Sequence, residues 1–213
     1  MELPGWDLVW VRLTSAPVSS DPADTAELGQ RLAALRQEVS ELARAALEGA
    51  ELSAHATVAA LRRLFRAAGT DPTRYRPSSE ALLRRVLKGE DLPAINPLVD
   101  LNNCLSVELA VPCCVMADGT VASPVTLRAG RPGEDYESLR GPFNLEGKPL
   151  LADPLGPFSS PITDSRRVQV TESTRGVWIV AYLPQGVVAP AAVHGKLDEL
   201  LAKAPVARVE PPR

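Results

Sequence analysis

Residues 95–116 read INPLVDLNNCLSVELAVPCCVM, a run in which polar residues that seldom occupy a core are set among apolar ones. Asn96 followed by Pro97 is a helix start: an Asn side chain accepts from the orphan N–H groups of the first turn, and Pro at the first helical position gives up a donor that had no partner. The pattern predicts a helix over 97–110. Leu98, Leu101, Leu105 and Leu109 recur at spacings of three and four and share one face. Asn102 and Asn103 flank that stripe, which places at least one amide at the edge of the core, facing a cleft. Pro112 ends the helix, and residues 113–116 read as a short strand closed by a hairpin turn at Asp118-Gly119. An amide pair on a helix followed by a strand suits a site that holds a polar ligand by hydrogen bonds. Local capping of backbone is the plainer reading of the same two residues.

Working outward, the 213 residues suffice for one large domain or a helical layer joined to a main domain. A hydrophobic fraction of 45% allows a true core, and 20 prolines imply many loop boundaries. No apolar run approaches the ~20 residues of a membrane span. The first ten residues, MELPGWDLVW, lack the basic and apolar blocks of a secretory signal, so a cytoplasmic protein is expected. Of three cysteines, Cys113 and Cys114 are adjacent, which is poor geometry for a disulfide and points to reduced thiols. Two His and three Cys show no zinc spacing, so no metal and no cofactor are expected.

The net charge of −3 argues against coating nucleic acid by charge alone. Its distribution is uneven. Residues 61–89 hold Arg62, Arg63, Arg66, Arg74, Arg76, Arg84, Arg85 and Lys88 against Asp71 and Glu80, a local +6, while 1–60 carry −5 and 90–213 carry −4. Such a patch suits a phosphate backbone, with Tyr75 between two arginines placed to stack on a base. Arg84, Arg85 and Lys88 also suit the end of a helix, whose dipole favours cations there.

In chain order, residues 7–13 alternate as a strand, 17–22 form a loop, and 24–47 keep helical spacing up to Gly49. A second helix is expected over 54–68 and a third from a Ser78 or Ser79 cap to Gly89. Residues 120–128 read as a strand, 130–133 as a turn, and 139–161, rich in Pro and Gly, as a long surface connection. Strands over 168–171 and 176–183 follow, the second nearly all apolar and so central, and a helix over 190–201 closes the chain. There is no internal repeat, P-loop, GxGxxG or GxSxG. The expected class is α+β, a helical N-terminal part followed by a mixed β-sheet with packed helices.

Three stretches carry a family likeness: FRAAGTDPTRYRPSSEALLRRVLKGEDLPAINPLVDLNNCLSVELAVP at 65–112, LRAGRPGEDYESL at 127–139 and TDSRRVQVTESTRGVWIV at 163–180. They resemble free-standing proteins of the B3/4 domain, the tRNA-editing domain of the bacterial phenylalanyl-tRNA synthetase β subunit. That domain hydrolyses tyrosine wrongly esterified to the tRNA for phenylalanine. The resemblance covers 55–213, with 1–54 a family-variable strand and long helix expected to pack with it as one compact unit.

The resemblance implies an aminoacyl-tRNA deacylase acting in trans, whose partners would be the phosphate backbone and aminoacylated 3′ end of tRNA, with the amino-acid moiety as ligand. The family's Thr-Asn pair matches Asn102 by polarity and Asn103 by identity. A family His aligns with Cys114, and a family Arg-Asp-Ser element with Thr163, Asp164 and Ser165. It follows that Asn102 and Asn103 orient water or substrate and Asp164 binds the α-ammonium or acts as base. Cys114, Thr163, Ser165 and Thr171 complete the pocket, and Arg62, Arg63, Arg66, Arg74, Tyr75, Arg84 and Arg85 hold tRNA. A neutral thiol cannot do the work of an imidazole. The loss of that His therefore keeps open a non-catalytic module that binds RNA or an amino-acid-like small molecule, and hydrolysis of a small amino-acid ester or amide. Nothing in the sequence sets an oligomeric state.

Overall fold

Two sheet faces, each with its own apolar cluster, organise the computed structural model, which describes residues 3–16 and 21–211. The chain runs β1 (Trp6–Ser15), α1 (Pro22–Ala46), α2 (Ala56–Ala67), α3 (Ser78–Leu87), α4 (Pro97–Leu109) and β2 (Cys113–Ala117). It continues through β3 (Thr126–Ala129), β4 (Asp135–Ser138), β5 (Gly141–Asn144), β6 (Pro149–Asp153) and β7 (Gly156–Ser159). The last elements are β8 (Gly176–Pro184), α5 (Pro190–Lys203) and β9 (Ala207–Val209). The main sheet has the order β2-β8-β1-β9, and a second sheet the order β3-β6-β7. All ladders between these strands are antiparallel. The class is α+β.

Strand periodicity sorts the side chains. Val9, Val11 and Leu13 of β1, Ile179 and Ala181 of β8 and Cys113 of β2 join the cluster that α1, α4 and α5 cover. Their neighbours in sequence, Cys114, Met116, Val180 and Tyr182, face the other way, against α2 and the second sheet through Leu61, Phe65, Leu151 and Phe158. Cys113 and Cys114 therefore lie on opposite faces, both buried and unbridged.

The central helix forms as its sequence predicts. Asn96 accepts from Leu98 N at 3.0 Å, and Ala110 closes the helix in the left-handed region at φ 54°. Asp100 fixes it in place: one carboxylate oxygen takes Ile95 N at 2.8 Å, and the other takes Arg36 Nη1 of α1 at 2.6 Å. Both surfaces of α4 are thereby committed before the asparagines are reached. Leu98, Leu101 and Leu105 are buried, and so are Cys104, Ser106 and Val107 on the other side.

Several expectations are corrected. Residues 139–161 are not a bare connection but carry β5, β6 and β7, and all of β6 is buried. Proline hid them. Pro149 opens β6, while Pro142 and Pro157 lie in strands paired on one side only, where a missing N–H costs no ladder bond. The strand expected at 120–128 begins only at Thr126, because the Asp153 carboxylate holds Ala122 N at 2.9 Å and keeps that segment looped. Residues 168–171 are not a strand: Ser165 Oγ accepts from Arg167 N and turns 166–168 into a 3-10 helix. The turn at Asp118-Gly119 makes no hairpin, since β2 pairs with β8 and the Asp118 carboxylate takes Arg12 and Trp178 instead. Neither Ser78 nor Ser79 caps α3, whose N-cap is Pro77. Of the loop expected at 17–22, residues 17–20 lie outside the described residues. Asp21 caps α1 by accepting from Ala23 N at 2.8 Å.

Candidate functional site

Where α4 meets β2, Asn102 turns its amide to the strand and its Nδ2 donates to Cys113 O at 2.9 Å. The bond uses one donor and leaves Asn102 Oδ1 buried without a partner. Asn103, one residue on, is half-buried. From β2, Cys114 points to the opposite side of the sheet, its thiol 3.4 Å from Ser160 O.

That carbonyl belongs to a tightly tied loop. Ser160 Oγ donates to Thr163 O at 2.8 Å and accepts from Thr163 N at 3.1 Å, and the Tyr136 hydroxyl also donates to Thr163 O at 2.6 Å. Ser165 N closes the loop on Phe158 O at 3.0 Å. Just beyond, Arg167 grips the buried Asp153 carboxylate with two bonds of 2.9 and 3.0 Å and also donates to Thr120 O. A bidentate pair of this kind fixes orientation as well as position. Asp164 is thus presented by a rigid turn.

The carboxyl of Asp164 has one oxygen, Oδ1, buried with no hydrogen-bond partner. Burial raises its pKa to about 6, against a smaller opposite pull from Ser159 and Cys114. Burial likewise pushes the Cys114 thiol well up, reinforced by the nearby Asp164 charge. No thiolate is available there near neutral pH. Behind Asp164, Ser159 Oγ and Tyr182 OH lie 2.8 Å apart, both buried.

Of these groups Asn102, Asn103, Cys113, Cys114, Thr163, Asp164 and Ser165 line one cleft of about 250 Å³, with the others behind or beside it. Ser78, whose hydroxyl is also buried and unpartnered, lines it from the start of α3. Among the described residues five buried side-chain polar atoms have no partner, and three of them, Ser78 Oγ, Asn102 Oδ1 and Asp164 Oδ1, belong to this cleft. Buried polar groups are nearly always bonded, so three orphans among the residues of one hollow single it out as the candidate site. Larger hollows of about 400 and 670 Å³ lie along α1, and none of the orphaned atoms lines either. Among the described residues no three His, Cys, Asp or Glu side chains gather as metal ligands.

Of the pocket residues read from the sequence, Asn102, Asn103, Cys114, Thr163, Asp164 and Ser165 all line the cleft. Thr171 does not join them. It is exposed in a turn where its N–H donates to Thr174 Oγ1 at 2.9 Å.

The basic set divides. Arg62 and Arg84 both bind the buried Glu80, at 3.0 and 2.8 Å, and Arg85 holds Asp91 O and the Glu90 carboxylate. Arg63, Arg66 and Arg74 are exposed. Tyr75 is half-buried, with Lys148 Nζ 4.1 Å from its ring centre and Phe143 edge-on at 6.2 Å, so it is part of an internal cluster. Burial and the charge of Arg74 lower the pKa of Lys148.

Sequence reasoning missed Ser159, Ser160, Tyr136 and Tyr182 behind the site and Arg167 beside it. Only Tyr182 left a signal, through the alternation of β8, which places it on the Cys114 side. Ser159 and Ser160 depend on a strand hidden by Pro157, and Tyr136 and Arg167 on contacts made only in three dimensions.

A model of the B3/4 domain matches residues 60–200. No curated protein matches the chain. Among solved structures, an N-terminal fragment of the phenylalanyl-tRNA synthetase beta-subunit from Pyrococcus horikoshii is 15% identical, with a TM-score of 0.43, over 95% of this chain and 46% of that one. The chain thus spans about half the length of that fragment.

Proposed function

We propose, from the premise that this chain belongs to the B3/4 domain family, that its cleft takes the amino-acid end of a mischarged tRNA and hydrolyses the ester in trans. The observation that carries this reading is the set of three unpartnered oxygens, from Ser78, Asn102 and Asp164, in one small cleft. Asn102 Oδ1 and the ionised Asp164 carboxylate accept, and the Ser78 hydroxyl both donates and accepts, so a ligand that carries donors, such as an α-ammonium, suits them.

An aminoacyl ester is already activated, so the site needs a held water, a seat for the ammonium and donors for the oxyanion. Asp164, ionised in most molecules at pH 7 with a pKa of about 6, supplies the negative partner or takes the proton from water. Asn102 is held by its Nδ2 bond to Cys113 O, and its unpartnered Oδ1 is the atom free to accept, from water or ammonium. Asn103, with its amide uncommitted to any backbone group, is the donor for the oxyanion. Cys114 is excluded as nucleophile, because burial keeps it a thiol. Arg63, Arg66, Arg74, Arg76 and Lys88 are the exposed cations of the 61–89 segment left to meet phosphates.

The test is deacylation of a panel of correctly and incorrectly charged tRNAs, beginning with tyrosine on the tRNA for phenylalanine. Release above the spontaneous rate, lost in Asp164→Asn and Asn103→Ala, supports the hydrolase. A second reading is a binding module without catalysis, favoured by the protonated thiol at the position where the family has an imidazole. Retention of charged tRNA with no release from any member selects that reading.

A further inference from the structure

Among the residues that line this cleft two carry charge, Asp164 and Arg140, and they do not pair. Asp164 keeps one oxygen buried without a partner. The guanidinium of Arg140, which is exposed, makes no hydrogen bond, ion pair or ring contact with the described residues. A cation close to Asp164 would pull its carboxyl down, yet the downward pulls on it come from Ser159 and Cys114. The cleft thus holds an acid and a base that stand apart.

The separation is built into the backbone. Arg140 stands in the turn between β4 and β5, where Ser138 Oγ accepts from its N–H at 3.1 Å and donates to Gly141 O at 2.7 Å. Ser138 also bridges to Ser165, next to Asp164, and its carbonyl takes Arg166 Nε at 3.2 Å. The turn that carries the cation is fastened to the segment that carries the acid.

Two opposite charges held apart suit a ligand whose ammonium and anion are also apart. A free α-amino acid carries both on one carbon. Once esterified to a ribose it has lost its own negative charge, and the next anion is the phosphate on the far side of that ribose. At about 250 Å³ the cleft is smaller than the ~300 Å³ at which pockets for drug-sized ligands begin, so it holds the amino-acid end and leaves ribose and phosphate at the mouth. A guanidinium there meets phosphate oxygens as a planar fork.

Resting on the reading of the cleft as an amino-acid site, we propose that Arg140 binds the phosphate of the nucleotide to which the amino acid is esterified, so that the site takes an aminoacyl nucleotide in preference to a free amino acid. Asp164 holds one end of that unit and Arg140 the other.

The experiment is titration calorimetry of the full chain with 3′-deoxy-3′-aminoacylamino-adenosine, an amide that is not hydrolysed as the ester is, prepared with L-tyrosine and with L-alanine, each with and without a 5′-phosphate. The free amino acids and adenosine 5′-monophosphate are the comparisons. The phosphate is expected to tighten binding about fivefold, the upper scale of an exposed ion pair, and the gain should shrink as salt rises. Arg140 is exposed and its side chain unbonded, so Arg140→Gln should fold normally and bring the ratio between the two forms close to one. A ratio near one in the parent, or one that survives in Arg140→Gln, overturns the assignment of Arg140 and leaves the amino-acid reading intact. A free amino acid that binds as tightly as its phosphorylated probe, and loses affinity in Arg140→Gln, gives Arg140 to a carboxylate and overturns the nucleotide. Failure of every aminoacyl probe, or equal binding of adenosine 5′-monophosphate, overturns both.

Discussion

Glu80 and Asp164 are carboxylates drawn out of water in different parts of the molecule, and the fold treats them in opposite ways. Glu80, 1% exposed at the junction of α2 and α3, has each oxygen bound to an arginine, Arg62 from one helix and Arg84 from its own. Asp164 has an orphaned oxygen, no arginine partner, and a pKa raised to about 6 by burial alone. A buried carboxylate is costly unless paired and bonded. The first cost is met within the fold. The second is left standing within the fold, as the proposed seat for a cationic ligand in the adjoining cleft requires.

The contrast is sharpest in stability. Glu80→Ala leaves Arg62, whose side chain is 14% exposed, without its partner. Breaking a buried pair costs ~3–5 kcal/mol, so urea unfolding should show a midpoint lowered by a large share of total stability. A loss under ~1 kcal/mol would mean the arginines are held by something other than Glu80.

Asp164→Asn should act in the other direction. A carboxyl whose pKa is raised in the folded state binds its proton more tightly there than when unfolded. Its contribution is therefore favourable at low pH and is lost as pH rises from the unfolded value of 3.8 to about 6. At pH 7 the shift of about two units corresponds to a penalty of order 2–3 kcal/mol, which the amide removes. Thermal unfolding between pH 4 and 8 should show Asp164→Asn more stable than the parent at pH 7 and level with it near pH 4. Deacylation should be lost in the same variant. A variant less stable at every pH would make Asp164 a structural group like Glu80.

How far these two groups could be told apart from the sequence depends on how local their evidence is. The helix around Asn102 and Asn103 was legible, because Asn96-Pro97 and the leucine spacing are local signals that tertiary packing only reinforced. Strands β1 and β8 were legible for the same reason. Glu80 was not: it looked like one acid in a basic run, and only the approach of α2 to α3 turns Arg62 onto it. The cleft was half legible. Its Asn and Asp-Ser elements announced themselves, but Ser78, Leu139 and Ile162 come from segments that meet only in three dimensions. Thr171 alternates plausibly as part of a strand, yet the Ser165 cap and the Thr174 bond take its segment into turns.

A smaller effect separates the two carboxylates in ligand binding. If Asp164 receives an ammonium, its ionised fraction controls affinity, and with a pKa of about 6 that fraction changes roughly tenfold between pH 5 and pH 7. L-Tyrosinol should bind about tenfold more tightly at pH 7, and the dependence should vanish in Asp164→Asn. A flat profile in the parent would place the ammonium elsewhere.

The smallest effect on the fold is expected from the arginines that Glu80 does not hold. Arg63 and Arg66 are exposed on α2, beside the clamped Arg62. Replacing both by Ala should move stability by no more than ~0.5 kcal/mol, as surface substitutions do. If they meet phosphates, the slope of log affinity for tRNA against log salt should fall by about two, one for each contact removed. Arg62→Ala is the control that ties this to the opening contrast, since it should cost stability through Glu80 while leaving the salt slope nearly unchanged. A slope that follows Arg62 and ignores Arg63 and Arg66 would mean that the +6 segment meets RNA through the face turned toward Glu80, and that the division of the arginines into structural and available ones is drawn in the wrong place.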